Sequence, residues 1–298
     1  MWSFMEERHP LANRLALSSL IYLGPAAFLA HVHGKGPAPW STSTLVGICT
    51  VFSFYLILRL SDELKDIELD SKNFPERPLP SRRVTPWDLQ LGLILLFLLT
   101  PVLNLGTGIA FLAASGVLVY EFLMYRFFFI PDILRRRPLL NLVAHNPVFA
   151  LIPLYSILLY AGESHASATT LAWGDIMAFT VMVWMPFLGW EVGRKLRAPE
   201  AEDPYDIYSP ALGHAGAVWC VIAAQTISLS VALFLTLKWS LGWIYVSIIA
   251  AAFALALTAN LRLLIAPSDS SARLKPFTEI FAASVLAAQL IGFGKAML

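Results

Sequence analysis

The chain has 298 residues, of which 57% are hydrophobic and 14% charged, and its net charge is +1. Soluble chains carry roughly 45–50% apolar and about 25% charged residues, which excludes an ordinary soluble globule, and so small a net charge offers nucleic acid no bulk counter-charge. The two cysteines, Cys49 and Cys220, lie inside apolar runs, where neither a disulfide framework nor a cysteine metal site is expected.

Nine apolar stretches are long enough to cross a hydrocarbon layer of about 30 Å, and they run roughly 11–32, 41–61, 87–104, 106–125, 139–161, 174–193, 211–236, 241–263 and 276–296. Proline, glycine or charge marks each interior boundary, most densely between Pro75 and Pro86, at Arg135-Arg136-Arg137-Pro138, between Pro199 and Pro210, and between Pro267 and Pro276. The first run has no small-residue cleavage site and reads as a retained span. The expected fold is an all-α integral membrane protein, with nine transmembrane helices around a central cavity and a cap made by loops 2–3 and 6–7.

An odd number of spans puts the termini on opposite sides. Eighteen of the 21 lysines and arginines fall on the side of the N-terminus, leaving Lys35, Lys238 and Lys295 opposite. The positive-inside rule then places the N-terminus and the even-to-odd loops in the cytoplasm, with a bacterial inner membrane as the expected setting. The acids segregate the same way, Glu163 and Asp175 alone falling clearly on the far side. A face that collects both signs of charge is either a binding site or a pair of solvated loops.

At the end of span 2, Asp62, Asp66 and Asp70 recur every four residues. On a continuing helix they stack on one face with Glu63 beside them, and like charges at that spacing repel by a few tenths of a kcal/mol per pair. A hard cation between the carboxylates explains such a row, and Mg²⁺, which needs only one or two carboxylates and leaves positions for phosphate oxygens, suits it. The alternative is a solvated helix end with Lys65 and Lys72 neutralising their neighbours. Residues 73–83, NFPERPLPSRR, form a rigid basic connection able to bring Arg77 back toward the acids.

Asp62-Glu63, Asp66 and Asp70, followed by Arg77-Pro78-Leu79-Pro80-Ser81, resemble the first Asp-rich motif, NDxxDxxxD and its RPLPSG-like tail, of the UbiA superfamily of intramembrane prenyltransferases. Nine helices match that family, so the resemblance covers the whole chain in architecture and about 20 residues in motif. It implies one transmembrane domain of two pseudo-repeated halves, about 1–137 and 138–265, plus a ninth helix. The family's second motif, DxxxD or DxxDxxxD after helix 6, corresponds here to the stretch from Trp190. Glu191 stands for its first acid, but Lys195 occupies the place of the next.

Glu191 and Lys195 share a helix face, with Arg194 and Arg197 flanking it, so this half can grip diphosphate through cations while Glu191, joined by Glu200, completes a metal shell. The plain alternative is an i,i+4 pair in a basic collar. Glu200, Glu202, Asp203, Asp206 and Tyr208 form a run that could cap the site. Where the family has a Tyr and a Lys on helix 4, this chain offers Tyr120, Glu121, Tyr125 and Arg126, with Arg126 the substitute for the lysine. Asn141, His145 and Asn146 lie near the charged face and could orient an acceptor, His145 being equally explicable as a buried imidazole. Glu279 reads as a helix N-terminal acid or a site residue.

The resemblance implies ionisation of an allylic diphosphate, with Mg²⁺ at Asp62, Glu63, Asp66, Asp70 and Glu191, and Lys65, Arg77, Arg126, Arg194, Lys195 and Arg197 on the phosphates. Trp190, Tyr120, Tyr125, Phe127, Phe128, Phe129 and Tyr155 offer ring faces to a cation. The expected function is a Mg²⁺-dependent prenyltransferase whose partners are an isoprenyl diphosphate, a lipophilic and aromatic acceptor, and the bilayer. An intramembrane terpene cyclase and a non-enzymatic transporter are the alternatives. A transporter places ionisable groups at mid-span, where this chain has almost none.

Overall fold

The computed structural model describes residues 2–33, 41–163, 173–198 and 208–294. Among them there is no strand, as expected of a chain whose backbone polar groups must be satisfied inside lipid. After a short α1 (Trp2–Arg8) come α2 (Leu11–His33), α3 (Thr42–Lys65) and a short continuation α4 (Ile67–Asn73). Then follow α5 (Pro86–Leu103), α6 (Ile109–Tyr125), a 3-10 turn (Phe127–Phe129), α7 (Pro131–Arg136), α8 (Pro138–His145) and α9 (Val148–Glu163). The remainder is α10 (Trp173–Gly193), α11 (Ser209–Leu212), α12 (His214–Trp239), α13 (Trp243–Ile265) and α14 (Lys275–Phe293).

The boundaries follow local chemistry. Ser41 caps α3 by accepting from the Thr44 amide, and Thr85 with Asp88 forms a reciprocal capping box at α5, whose first residue is Pro86. Proline, pre-set for a first helical turn, also opens α7 and α8. The expected fifth span is broken into α8 and α9 at Asn146-Pro147, because Pro147 has no N–H to continue the ladder.

Eight helical stretches are long and apolar enough to span a membrane. The expected fourth span, α6, is a shorter apolar helix of 17 residues, about 26 Å at 1.5 Å per residue. The protein is thus a multi-pass, all-helical membrane protein. Its outward faces carry leucine and isoleucine, and exposed tryptophans mark both ends of the bundle: Trp2 and Trp87 at one, Trp173 and Trp243 at the other.

Inside, α2 packs on α3, α9 and α14, α10 packs on α9, α12 and α14, and α3 also meets α5 and α6. Phe28 stacks on Phe179 at 4.4 Å, and Phe293 meets Phe28 and Tyr245 edge-on. Gly47 lets α2 and α3 approach closely, since a Cβ there would overlap the Tyr22 ring. At the far end, away from the acid row, Lys238 reaches Asp175 at 2.5 Å, Glu163 accepts from Ser41, and Tyr155 donates to Asn104.

Candidate active site

The ends of α3 and α10, the starts of α5 and α14, and α1 meet at the other end of the bundle. The acid row is nearly one continuous helix there: the Asp66 amide donates to the Asp62 carbonyl and the Asp70 amide to that of Asp66, with a slight break at Asp66 separating α3 from α4.

The acids have different partners. Asp62 is held by Lys65 at 3.2 Å. Asp70 is buried and gripped by Arg77 at 2.6 Å, whose guanidinium also lies 3.6 Å above the Phe74 ring. That contact closes the proline-braced connection back onto the acids, as its composition predicts. Among the described residues, Asp66 makes no side-chain hydrogen bond or ion pair. Although its surface is exposed, the protein crowding out water around it, and then the charges of Asp62 and Asp70 beyond what Lys65 offsets, push its carboxyl up to about 6.

Glu63 faces elsewhere. Its side chain is 1% exposed, and its Oε1 is held by Arg8 of α1 at 2.7 Å and by Arg59 one turn earlier. The expected position beside the aspartates as a metal ligand is not what the geometry shows.

Across from the acids stands the end of α10. Glu191 accepts from Arg194 and Lys195, each at 2.7 Å, and from the Tyr208 hydroxyl at 3.4 Å. Arg194 lies over the Trp190 ring and Lys195 over that of Tyr208. Arg197 donates to the carbonyls of Arg194 and Leu196. The two halves face one another: Arg194 lies within the field of Asp62, and Lys195 within that of Asp66. From α14, Glu279 accepts from Trp190 Nε1 at 3.3 Å, so it belongs to this side of the site. Glu200, Glu202, Asp203 and Asp206 lie outside the described residues.

A third wall comes from the turn after α6. Phe127, Phe128 and Phe129 all have left-handed backbones, with φ of 49°, 50° and 61°, a conformation that costs about 1–2 kcal/mol per residue without a compensating contact. The compensation is visible at Phe127, whose ring receives Lys65 at 5.1 Å and Arg135 at 5.0 Å. His145 packs against Phe127 and Phe128, and its Nδ1 lies 3.0 Å from the Asn141 carbonyl. Among the described residues, Asn141 Oδ1 and Asn146 Nδ2 are buried without partners, so the break between α8 and α9 presents polar groups with unused capacity. Arg126 sits over Phe129, and neither it nor Tyr125 makes a hydrogen bond or ion pair with the acids among the described residues.

Below the charged rim lies an aromatic wall that the sequence reading passed over. Phe149 stacks on Phe187 at 5.0 Å with rings 2° apart, Tyr55 lies 6.3 Å from Phe149, and Trp184 donates to Asn146 Oδ1. Tyr55 stands seven residues before Asp62, and Phe187 four before Glu191. That offset of two turns and one turn from the motif acids was the signal that could have found them. Tyr155, expected among the cation-facing rings, instead joins the Asn104 knot at the far end.

Among the described residues no three His, Cys, Asp or Glu side chains converge as a closed metal cage. Asp62, Asp66 and Asp70 nonetheless fit a hard divalent ion: all are oxygen donors, the charges of Asp62 and Asp70 on Asp66 are only partly offset by Lys65 and Lys195, and Mg²⁺ takes one or two carboxylates and fills its remaining positions with water and phosphate.

A model of the UbiA prenyltransferase family matches residues 20–285. A solved structure of digeranylgeranylglyceryl phosphate synthase superposes with a TM-score of 0.67 over 99% of this chain and 98% of its own, at 15% identity. The apo structure of a UbiA homolog from Aeropyrum pernix K1 gives 0.65 over 94% and 98%, at 14% identity. At those identities the likeness speaks for the fold. No curated protein matches the chain.

Proposed function

The chain belongs to the UbiA prenyltransferase family, and on that premise we propose that it is a Mg²⁺-dependent enzyme that ionises an allylic isoprenyl diphosphate and passes the prenyl group to a lipophilic, aromatic acceptor. The observation that carries this reading is the pairing of a carboxylate row, in which Asp66 makes no ion pair among the described residues, with a cation cluster, Arg194 and Lys195, facing it above an aromatic wall.

Asp66, with Asp62 and Asp70, would hold the metal. Bound there, Mg²⁺ supplies Lewis-acid stabilisation of the charge that develops on the departing diphosphate. Lys65, Arg77, Arg194 and Lys195 donate to phosphate oxygens, exchanging their present carboxylates for the ligand. Glu191 holds Lys195 and Arg194 ready for that contact, and Tyr208 buttresses it. The C1–O bond breaks with its electron pair leaving on diphosphate. The allylic cation is left facing Tyr55, Phe149 and Phe187, whose ring faces stabilise positive charge. Asn141 and Asn146 orient the acceptor through their unused polar atoms, with the His145 ring beside them. The two acid-bearing ends occupy equivalent places in two pseudo-repeated halves of one domain, and the site faces the cytoplasm of a bacterial inner membrane.

The test is to incubate purified protein with C10, C15 and C20 allylic diphosphates, with and without aromatic acids and Mg²⁺, and to analyse products. Mg²⁺-dependent prenylated acceptor is expected. A cyclised hydrocarbon formed without acceptor would replace transfer by cyclisation, and no diphosphate release under any condition would overturn the reading.

A further inference from the structure

Helix α1 lies outside the spans, yet it is tied into the bundle: Phe4 is fully buried, and two successive residues of α1 hold two different parts of the acid-bearing segment. Arg8 reaches Glu63 Oε1 through Nε and a terminal nitrogen, each at 2.7 Å, and Arg59 joins it there. Glu7 accepts from both terminal nitrogens of Arg83, one of which also donates to the Glu76 carbonyl at 2.6 Å. Arg83 ends the braced connection whose Arg77 grips Asp70.

Adjacent residues of one helix thus secure both flanks of the row. One holds the residue next to Asp62, and the other holds the loop that grips Asp70. The geometry points to α1 as a positioning strap for the acid row, with Arg8, Glu7, Glu63 and Arg83 as positioning residues rather than ligands. A buried carboxylate between two arginines has few orientations available, since moving it strands the charge away from water. The backbone beneath Asp62 and Asp66 inherits that constraint. This inference rests on the reading of the row as a metal site but can be tested apart from it.

Hydrogen exchange on the full chain in nanodiscs, without metal, reads the strap directly. Arg8→Met should speed amide exchange across Ile67–Asn73 and the loop to Thr85 by about tenfold or more, Arg8→Lys should stay near wild type, and exchange in Trp243–Ile265 should not change. Glu7→Arg, on an exposed pair and so safe for folding, should loosen the same loop, and adding Arg83→Glu should restore it. A second readout is Mn²⁺ bound in the presence of inorganic pyrophosphate, followed by its spin resonance. Loss of a supporting contact typically costs 10–100-fold in metal affinity, so half-saturation should rise roughly tenfold in Arg8→Met. Unchanged exchange over Ile67–Asn73 in both Arg8→Met and Glu7→Arg overturns the strap. So does Glu63→Gln abolishing Mn²⁺ binding while Arg8→Met leaves it intact, because Glu63 is then a ligand. Wild type that binds no Mn²⁺ with pyrophosphate sinks the metal reading, and exchange alone then decides the strap.

Discussion

Asp66→Asn separates what the acid row does for the fold from what it does for the ligand. Without metal, the Asp66 carboxyl sits at about 6 rather than its ordinary 3.8, held there by crowding and by Asp62 and Asp70. The folded state therefore binds its proton more tightly than the unfolded state. The resulting penalty on folding is absent below about pH 4, grows as pH rises to about 6, and is fully present above that. At full weight such a difference is about 3 kcal/mol, and because the residue is exposed, solvent screening brings it to about 1 kcal/mol. Asp66→Asn should accordingly be about 1 kcal/mol more stable than wild type at pH 7.5 in metal-free buffer, and the two should converge at pH 4. The assay is thermal unfolding of detergent-solubilised protein at both pH values, repeated with Mg²⁺ and pyrophosphate. Ligand should raise the wild-type midpoint and leave the variant unmoved, since only a folded state that binds is stabilised. A metal-free variant less stable than wild type at pH 7.5, or one still stabilised by Mg²⁺ with pyrophosphate, would refute the assignment.

Arg77→Ala removes the guanidinium that grips the buried Asp70 and should cost about 1–3 kcal/mol in unfolding experiments while raising KM for the diphosphate, with Arg77→Lys recovering part of both. Lys195→Asp sets an acid beside Glu191 where a cation now stands, and diphosphate release should fall by at least about tenfold. A second bound Mn²⁺ in that variant, with activity kept, would show the position to be a metal site instead. Gly47→Ala drives a methyl into the Tyr22 ring and should lower stability by about 1–3 kcal/mol with unchanged metal dependence, read by thermal unfolding and Mg²⁺ titration.

The helices were legible in the sequence because their signals are one-dimensional. Uninterrupted apolar runs must become helices in lipid, and proline or capping residues end them within a few positions. The break at Asn146-Pro147 was written in the sequence too, but apolarity on both sides hid it. The acid row and Arg77 were legible as spacing. The direction of Glu63 was not: its partner Arg8 lies 55 residues away, and a periodicity argument sees only the residue's own helix. The aromatic wall was missed for a related reason, since Tyr55, Phe149 and Phe187 come from three helices and each alone is an ordinary core ring.

The two halves of the site also differ in a way that composition conceals. On the α3 side one carboxylate, Asp66, makes no ion pair among the described residues, whereas on the α10 side the one carboxylate, Glu191, is answered by both Arg194 and Lys195. Counted together, Asp62, Asp66, Asp70 and Glu191 balance Lys65, Arg77, Arg194 and Lys195, so these eight charges cancel in total while their dipole points from the α3 acids toward the α10 cations. An anion arriving alone is pulled by one half and repelled by the other, and a divalent cation meets the opposite balance. On the proposed function, a metal–diphosphate unit would suit both halves with its metal end turned to Asp66 and its phosphate end to Lys195. That orientation would start the C1 carbon of an allylic tail beneath the rim, against the rings of Tyr55, Phe149 and Phe187.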